Sequence, residues 1–430
     1  MYKKLFKLWY PLAFAWLMIS AEGPFLTAIV ARLNNPDENL AAYGISFSIA
    51  IFTESLVIML LSTSTLFSTN KDNYYKVRKF SLLIILTSTL IIIIFSLPPT
   101  FKIIAEFMSL PEKIRSLANN SVMLLIPWPA AIGIRRFYQG LLMRSGETYK
   151  IAFSTCSRLF TIAFVSIILM NYSALPGAYI GSLSLTLGVV LEALVTFFVS
   201  RKPVKNILNI DSKKENIKSI FELLNFYIPL TLTPIIIMST STLTTFLLGK
   251  AKYPLESLAT MPPVISFSFL FASICYAYME LVIVNMDSKL TNYRYIKRFA
   301  LIIGISVTLI FSVILFTPLN KLYFSNIAGL SERLLDFAST GIKILILIPL
   351  YSSINSLQRG FLIFFKETIA ISLATFLVLC TTVLSLILLI TYNKLPGIYN
   401  ATIALNIGRL IGIIYLGVKV YKCTKAIDKK

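Results

Sequence analysis

The sequence predicts an all-α integral membrane protein of about twelve transmembrane helices, built as two parallel six-helix bundles with both termini in the cytoplasm. Three observations predict it. Apolar runs near the ~20 residues needed to cross a bilayer recur from end to end. Basic residues collect in alternate loops, and the second half of the chain repeats the first.

The apolar runs come first. Of the 430 residues, 57% are hydrophobic and 14% charged, with a mean hydropathy of +0.79. Soluble domains carry roughly a quarter charged residues, and no polar stretch here is long enough to form one. The spans read as residues 8–32, 39–67, 79–98, 117–143, 150–171, 176–200, 220–249, 257–286, 299–318, 335–364, 369–391 and 396–419. The first run holds Glu22 and Pro24 and has no small-residue cleavage site after it, so it reads as a span and not as a removable leader.

Charge gives the orientation. Segments on the side of the N-terminus carry 25 lysines and arginines, against 9 on the opposite side. A bias of that size places both termini in the cytoplasm by the positive-inside rule. It also accounts for the formal charge of +21 without a nucleic-acid partner.

Other chemistry is excluded by absence. The sequence has no histidine, and Cys156, Cys275, Cys380 and Cys423 are scattered without a CxxC pair. Imidazole bases, Ser-His-Asp triads, histidine-ligated metals and zinc clusters are therefore not expected. We expect no cofactor, no metal site and no catalytic residue.

The repeat is read at an offset of 220 residues. Pro129 pairs with Pro349, Gly140 with Gly360, Glu147-Thr148 with Glu367-Thr368, and Leu175-Pro176-Gly177 with Leu395-Pro396-Gly397. Ile45-Ser46-Phe47-Ser48 matches Ile265-Ser266-Phe267-Ser268 at the same offset, and Pro11 roughly matches Pro229. Six spans separate equivalent positions, so the halves share one orientation, as in transporters built from parallel repeats. The expected domains are a bundle over residues 1–200, a cytoplasmic connector over 201–219, and a second bundle over 220–430.

Charged residues inside spans need a reason, since each costs about 2.5–3.5 kcal/mol at mid-bilayer. They are Glu22, Glu54, Arg135, Arg136, Arg158, Glu192, Glu280, Arg359 and Arg409. Arg135 and Gln139, four apart, share a helix face, while Arg136 points roughly 100° away. Two adjacent cations on two faces are hard for one acidic partner to satisfy, which points to a water-filled, anion-attracting cavity. Arg135, Arg136, Gln139, Arg158 and Arg359 are its candidate lining. Glu22 and Glu54 are candidates for a coupling proton or cation. Glu192, Glu280 and Arg409 are candidates for buried ion pairs that fix helix packing. Pro24, and Pro127 with Pro129, are expected to break their spans.

Tyr10-Pro11-Leu12 followed by Glu22-Gly23-Pro24-Phe25 resembles the opening span of bacterial relatives of the progressive ankylosis protein. Leu40-Ala41-Ala42-Tyr43-Gly44 running to Glu54-Ser55, and Arg135-Arg136-Phe137-Tyr138-Gln139-Gly140, are similar to the same family. That family belongs with the multidrug/oligosaccharidyl-lipid/polysaccharide (MOP, MATE-like) exporters. The resemblance implies alternating access between two bundles and export of an anionic metabolite; vertebrate relatives are associated with pyrophosphate, nucleotide and citrate efflux. Guanidinium groups suit phosphate and carboxylate cargo.

The functional expectation is a monomeric multi-pass exporter of an organic or phosphorylated anion in the inner (cytoplasmic) membrane. Its partners are the lipid bilayer and either a small anionic metabolite or a lipid-linked anion. A flippase for a lipid-linked anionic headgroup and a cation-coupled drug antiporter are the alternatives. A membrane-embedded enzyme is disfavoured, because no histidine, membrane-level aspartate or acidic pair at ligand spacing is present.

Overall fold

The computed structural model describes residues 1–108, 110–210, 217, 219–392 and 395–428. Lys213, Lys214 and Lys218 of the expected connector lie outside the described residues, as do Lys394, Lys429 and Lys430 of the charge bias.

The first half of the chain forms α1 (Tyr2–Val30), α2 (Pro36–Ser55), α3 (Leu60–Phe67), α4 (Lys71–Ser96) and α5 (Pro98–Phe107). It continues with α6 (Glu112–Leu124), α7 (Trp128–Arg144), α8 (Thr148–Tyr172), α9 (Gly177–Val199) and the short α10 (Arg201–Leu208). The second half forms α11 (Ile220–Leu248), α12 (Pro254–Tyr276), α13 (Tyr278–Asn285), α14 (Tyr293–Phe316) and α15 (Leu319–Leu322). A π-helical turn, α16 (Glu332–Ile344), α17 (Ile348–Phe364), α18 (Thr368–Tyr392) and α19 (Gly397–Asp428) complete it. Among the described residues, eleven helical stretches are long and apolar enough to cross a membrane, and the pair α16–α17, bent by 41°, makes a twelfth when taken as one broken span.

Local chemistry explains where the elements start and stop. The third span begins at Lys71, earlier than hydropathy suggests, because the Asn70 side chain accepts a hydrogen bond from the Asn73 N–H at 2.9 Å. That cap and Asp72 in the first turn stabilise a polar helix start. The expected break at Pro24 does not occur: α1 is helical through it. A break does lie at Pro127, between α6 and α7.

The helix boundaries repeat. α6, α7 and α8 begin and end 220 residues before α16, α17 and α18, and α9 begins 220 before α19. Earlier elements obey a different offset. Asn35 and Tyr253, 218 apart, both take left-handed φ values of 52° and 54°, each just before a helix-starting proline. α3 and α13 likewise begin and end 218 apart. The repeat is thus 218 through α13 and 220 from the ends of α4 and α14 onward, which corrects the single offset read from sequence. The match of residues 45–48 to 265–268 is a coincidence between apolar helices; burial pairs Ser46 and Ala50 with Val264 and Ser268.

By packing, the chain divides into one unit of residues 18–227 and another of residues 1–17 with 228–430. The expected bundles of 1–200 and 220–430 place the start of α1 differently. In the structure Trp9 Nε1 donates to Ile274 O at 3.3 Å, and the Tyr2 ring lies edge-on to Tyr295 at 5.8 Å.

Each unit is pinned in the same way. Asn39 Oδ1 accepts from the Ala178 N–H at the start of α9 (2.9 Å), and Ser257 Oγ accepts from the Ile398 N–H at the start of α19 (3.1 Å). Both bonds satisfy donors that a helix N-terminus leaves open. Gly140 lets α7 cross α3 closely, since a Cβ there would lie 2.5 Å from Leu61 O; at Gly360 it would lie 2.7 Å from Met279 O.

Candidate functional site

In the unit of residues 18–227, four of the predicted membrane charges meet. Arg135 on α7 donates through Nη1 to Glu192 Oε2 on α9 at 2.7 Å. Arg158 on α8 donates through Nη2 to Glu22 Oε1 on α1 at 2.7 Å, and its Nη1 lies 3.4 Å from Glu192 Oε2. The Thr155 hydroxyl donates to Glu192 Oε1 at 2.9 Å. All four charged side chains are buried, with Glu192 fully so. Two carboxylates and two guanidiniums in alternation make a neutral chain, which is how charge is tolerated away from water.

Glu54 stands at the edge of this chain. Its Oε2 accepts from Trp128 Nε1 at 3.2 Å, and the Arg158 guanidinium lies 5.4 Å from the Trp128 ring. Arg136 and Gln139 are buried on α7.

The other unit holds a cavity of about 580 Å³ between α11, α12, α17, α18 and α19. Arg359 and Arg409 both line it, together with Thr240, Asn355, Tyr276 and Tyr351. Among the described residues, no acidic side chain lines it. Arg359 Nη2 donates to Thr375 Oγ1 at 2.7 Å, while its Nε is buried without a partner. Among the described residues neither arginine has an ion-pair partner. Glu280 is buried on α13 and does not line the cavity.

The repeat relates the two places. With the offsets 218 and 220, Glu22, Arg135, Arg158 and Glu192 correspond to Thr240, Asn355, Val378 and Gly412, all of which line the cavity. The space closed by a neutral ion-pair chain in one unit is open in the other. There the cations enter from new positions, Arg359 opposite Gln139 and Arg409 opposite Val189.

The structure therefore distributes the sequence candidates differently from their expected grouping. Arg135 and Arg158, expected along an anion path, are engaged by carboxylates. Arg409, expected in an ion pair, stands with Arg359 on a cavity wall. The uncharged lining, Thr240 and Asn355, carries no sequence signal by itself; carrying each buried charge of the first half across the repeat would have found it.

Similarity to known proteins appears in the fold alone. No protein-family profile matches the chain, and no curated protein sequence matches it. Solved MATE structures superpose over almost the whole chain. A MATE in complex with MaL6 has a TM-score of 0.81 at 14% identity, covering 100% of this chain and 97% of that one. An outward-facing multidrug resistance MATE transporter of the MOP superfamily has a TM-score of 0.76 at 13% identity, with coverages of 100% and 97%. A MOP superfamily transporter from Pyrococcus furiosus, described as having a binding pocket of reverse polarity that suggests a different function, has a TM-score of 0.74 at 14% identity, with the same coverages. The chain has the MATE fold.

Proposed function

We propose that this chain is an alternating-access membrane transporter that binds an organic or phosphorylated anion in the cavity of its second unit and exports it. The observation that carries the reading is the pair Arg359 and Arg409 on a cavity of about 580 Å³ with no acidic side chain among the described residues that line it. That volume lies within the range of small-molecule sites. A buried cation without a counter-ion is costly, and an anionic cargo supplies the missing charge. Planar guanidiniums bind phosphate and carboxylate oxygens in pairs, with hydroxyls of Thr240, Tyr276 and Tyr351 to complete the shell.

The fold supports transport, and the neighbour whose reversed pocket polarity suggests a different function shows that pocket polarity varies on that fold. Kinship with the relatives of the progressive ankylosis protein belongs to the same proposal, as do cytoplasmic termini and residence in the cytoplasmic membrane. Arg135, Arg136, Gln139 and Arg158 take a structural role in this reading. Coupling to a proton or cation falls to Glu54 rather than Glu22, because Glu22 is committed to Arg158.

Transport in proteoliposomes tests the reading with pyrophosphate, citrate, nucleotides and a lipid-linked diphosphate as cargo. One or more of these anions is expected to move. Arg359→Gln combined with Arg409→Gln is expected to abolish that movement while leaving a folded, monodisperse protein. A folded double variant that still transports contradicts the assignment. Movement of the lipid-linked substrate alone makes the chain a flippase.

A further inference from the structure

A second cavity lies on the unit of residues 18–227, away from the ion-pair chain. It occupies about 430 Å³ between α4, α7 and α9 and is lined mostly by apolar side chains, with Arg78, Ser81 and Tyr138 as its polar members. Leu82, Ile134, Leu194 and Phe197 on its walls are exposed, so it is a groove on a face whose apolar surroundings suit lipid chains.

Three features at the Arg78 end are polar. Arg78 is exposed and belongs to a basic run with Lys71, Lys76 and Lys79, after which α4 carries no charged residue. The membrane boundary therefore crosses α4 near this turn. Arg201, the first residue of α10, sits over the Phe198 ring at 4.7 Å and within 5.8 Å of the groove residue Phe197. One turn deeper than Arg78, Ser81 lines the groove, is 2% exposed, and its hydroxyl has no hydrogen-bond partner. A buried hydroxyl without a partner is costly.

The order of these groups matches one ligand. A phospholipid places an anionic phosphate at the interface, ester carbonyls about one helical turn deeper, and hydrocarbon beyond. Arg78 stands at the phosphate level, with Arg201 outside the groove beside its residue Phe197; Ser81 stands at the ester level, and Ile85, Ala130 and Val190 along the acyl chain. We propose that this groove is a specific site for an anionic phospholipid. Arg78 binds the phosphate, the Ser81 hydroxyl donates to an ester carbonyl, and one acyl chain lies between α4, α7 and α9. The proposal is independent of the cargo assigned to the other unit.

Native mass spectrometry of the purified full-length protein tests it, with phosphatidylglycerol and phosphatidylcholine of identical acyl chains. Wild type is expected to retain phosphatidylglycerol about fivefold more tightly, the increment of one interfacial cation. Arg78→Gln is expected to remove that preference, Ser81→Ala to weaken retention of both lipids, and Ala130→Phe to block both by filling the chain groove. All three variants should match wild-type melting in phosphatidylcholine. Equal retention of the two lipids by wild type, or an undiminished preference in Arg78→Gln, would falsify the site. So would competition by soluble glycerol phosphate, which would mark a plain phosphate site instead.

Discussion

The two clusters of charge at membrane depth differ in one respect, the presence of carboxylates. Arg135 and Arg158 share Glu22 and Glu192, whereas Arg359 and Arg409 share a cavity with hydroxyls and an amide. Removing one member of the closed chain leaves a charge uncompensated. Glu192→Gln is therefore expected to destabilise the protein by about 3–5 kcal/mol, read as a lowered melting temperature in detergent. An unchanged melting temperature would show that the chain contributes little to stability. The residues of both clusters were legible in the sequence as charges at membrane depth. Their pairing was not, because helices far apart in sequence bring them together: Glu22 and Arg158 are 136 residues apart.

At the level of elements, apolar run length gave most spans, and a cap explains one displaced boundary, the early start of α4 after Asn70. The uninterrupted α1 shows the limit of the proline signal: Pro24 costs a hydrogen bond without ending the helix. The two-residue step in the repeat was hidden because apolar helices resemble one another at many offsets. Contacts reveal it. Glu38 pairs with Lys113 and Glu256 with Arg333, acids 218 apart meeting bases 220 apart. The close crossing of α3 and α7 gives a prediction at this scale. Gly140→Ala forces a Cβ against the Leu61 carbonyl and the Ser64 side chain, an overpacking expected to cost about 1–3 kcal/mol. Gly23→Ala serves as the control, since nothing lies within 4 Å of the added Cβ. Thermal unfolding of both variants should show a loss for the first and none for the second; equal behaviour would deny the close crossing its importance.

At the scale of the molecule, duplication supplied two copies of one bundle, and substitution made them unlike. The four positions that hold the ion-pair chain in one copy line a cavity in the other. Assignment of this cavity as an anion site is open to a direct test. Thr240 stands where the first copy has Glu22, whose carboxylate binds an arginine. Placing a carboxylate there should supply Arg359 and Arg409 with an internal counter-ion. The direct measurement is calorimetric titration of pyrophosphate and of citrate into wild type and Thr240→Glu. Saturable binding of at least one anion by wild type, and none by a Thr240→Glu variant with intact melting, is the predicted result. Equal binding of the anion by the two proteins would contradict the claim.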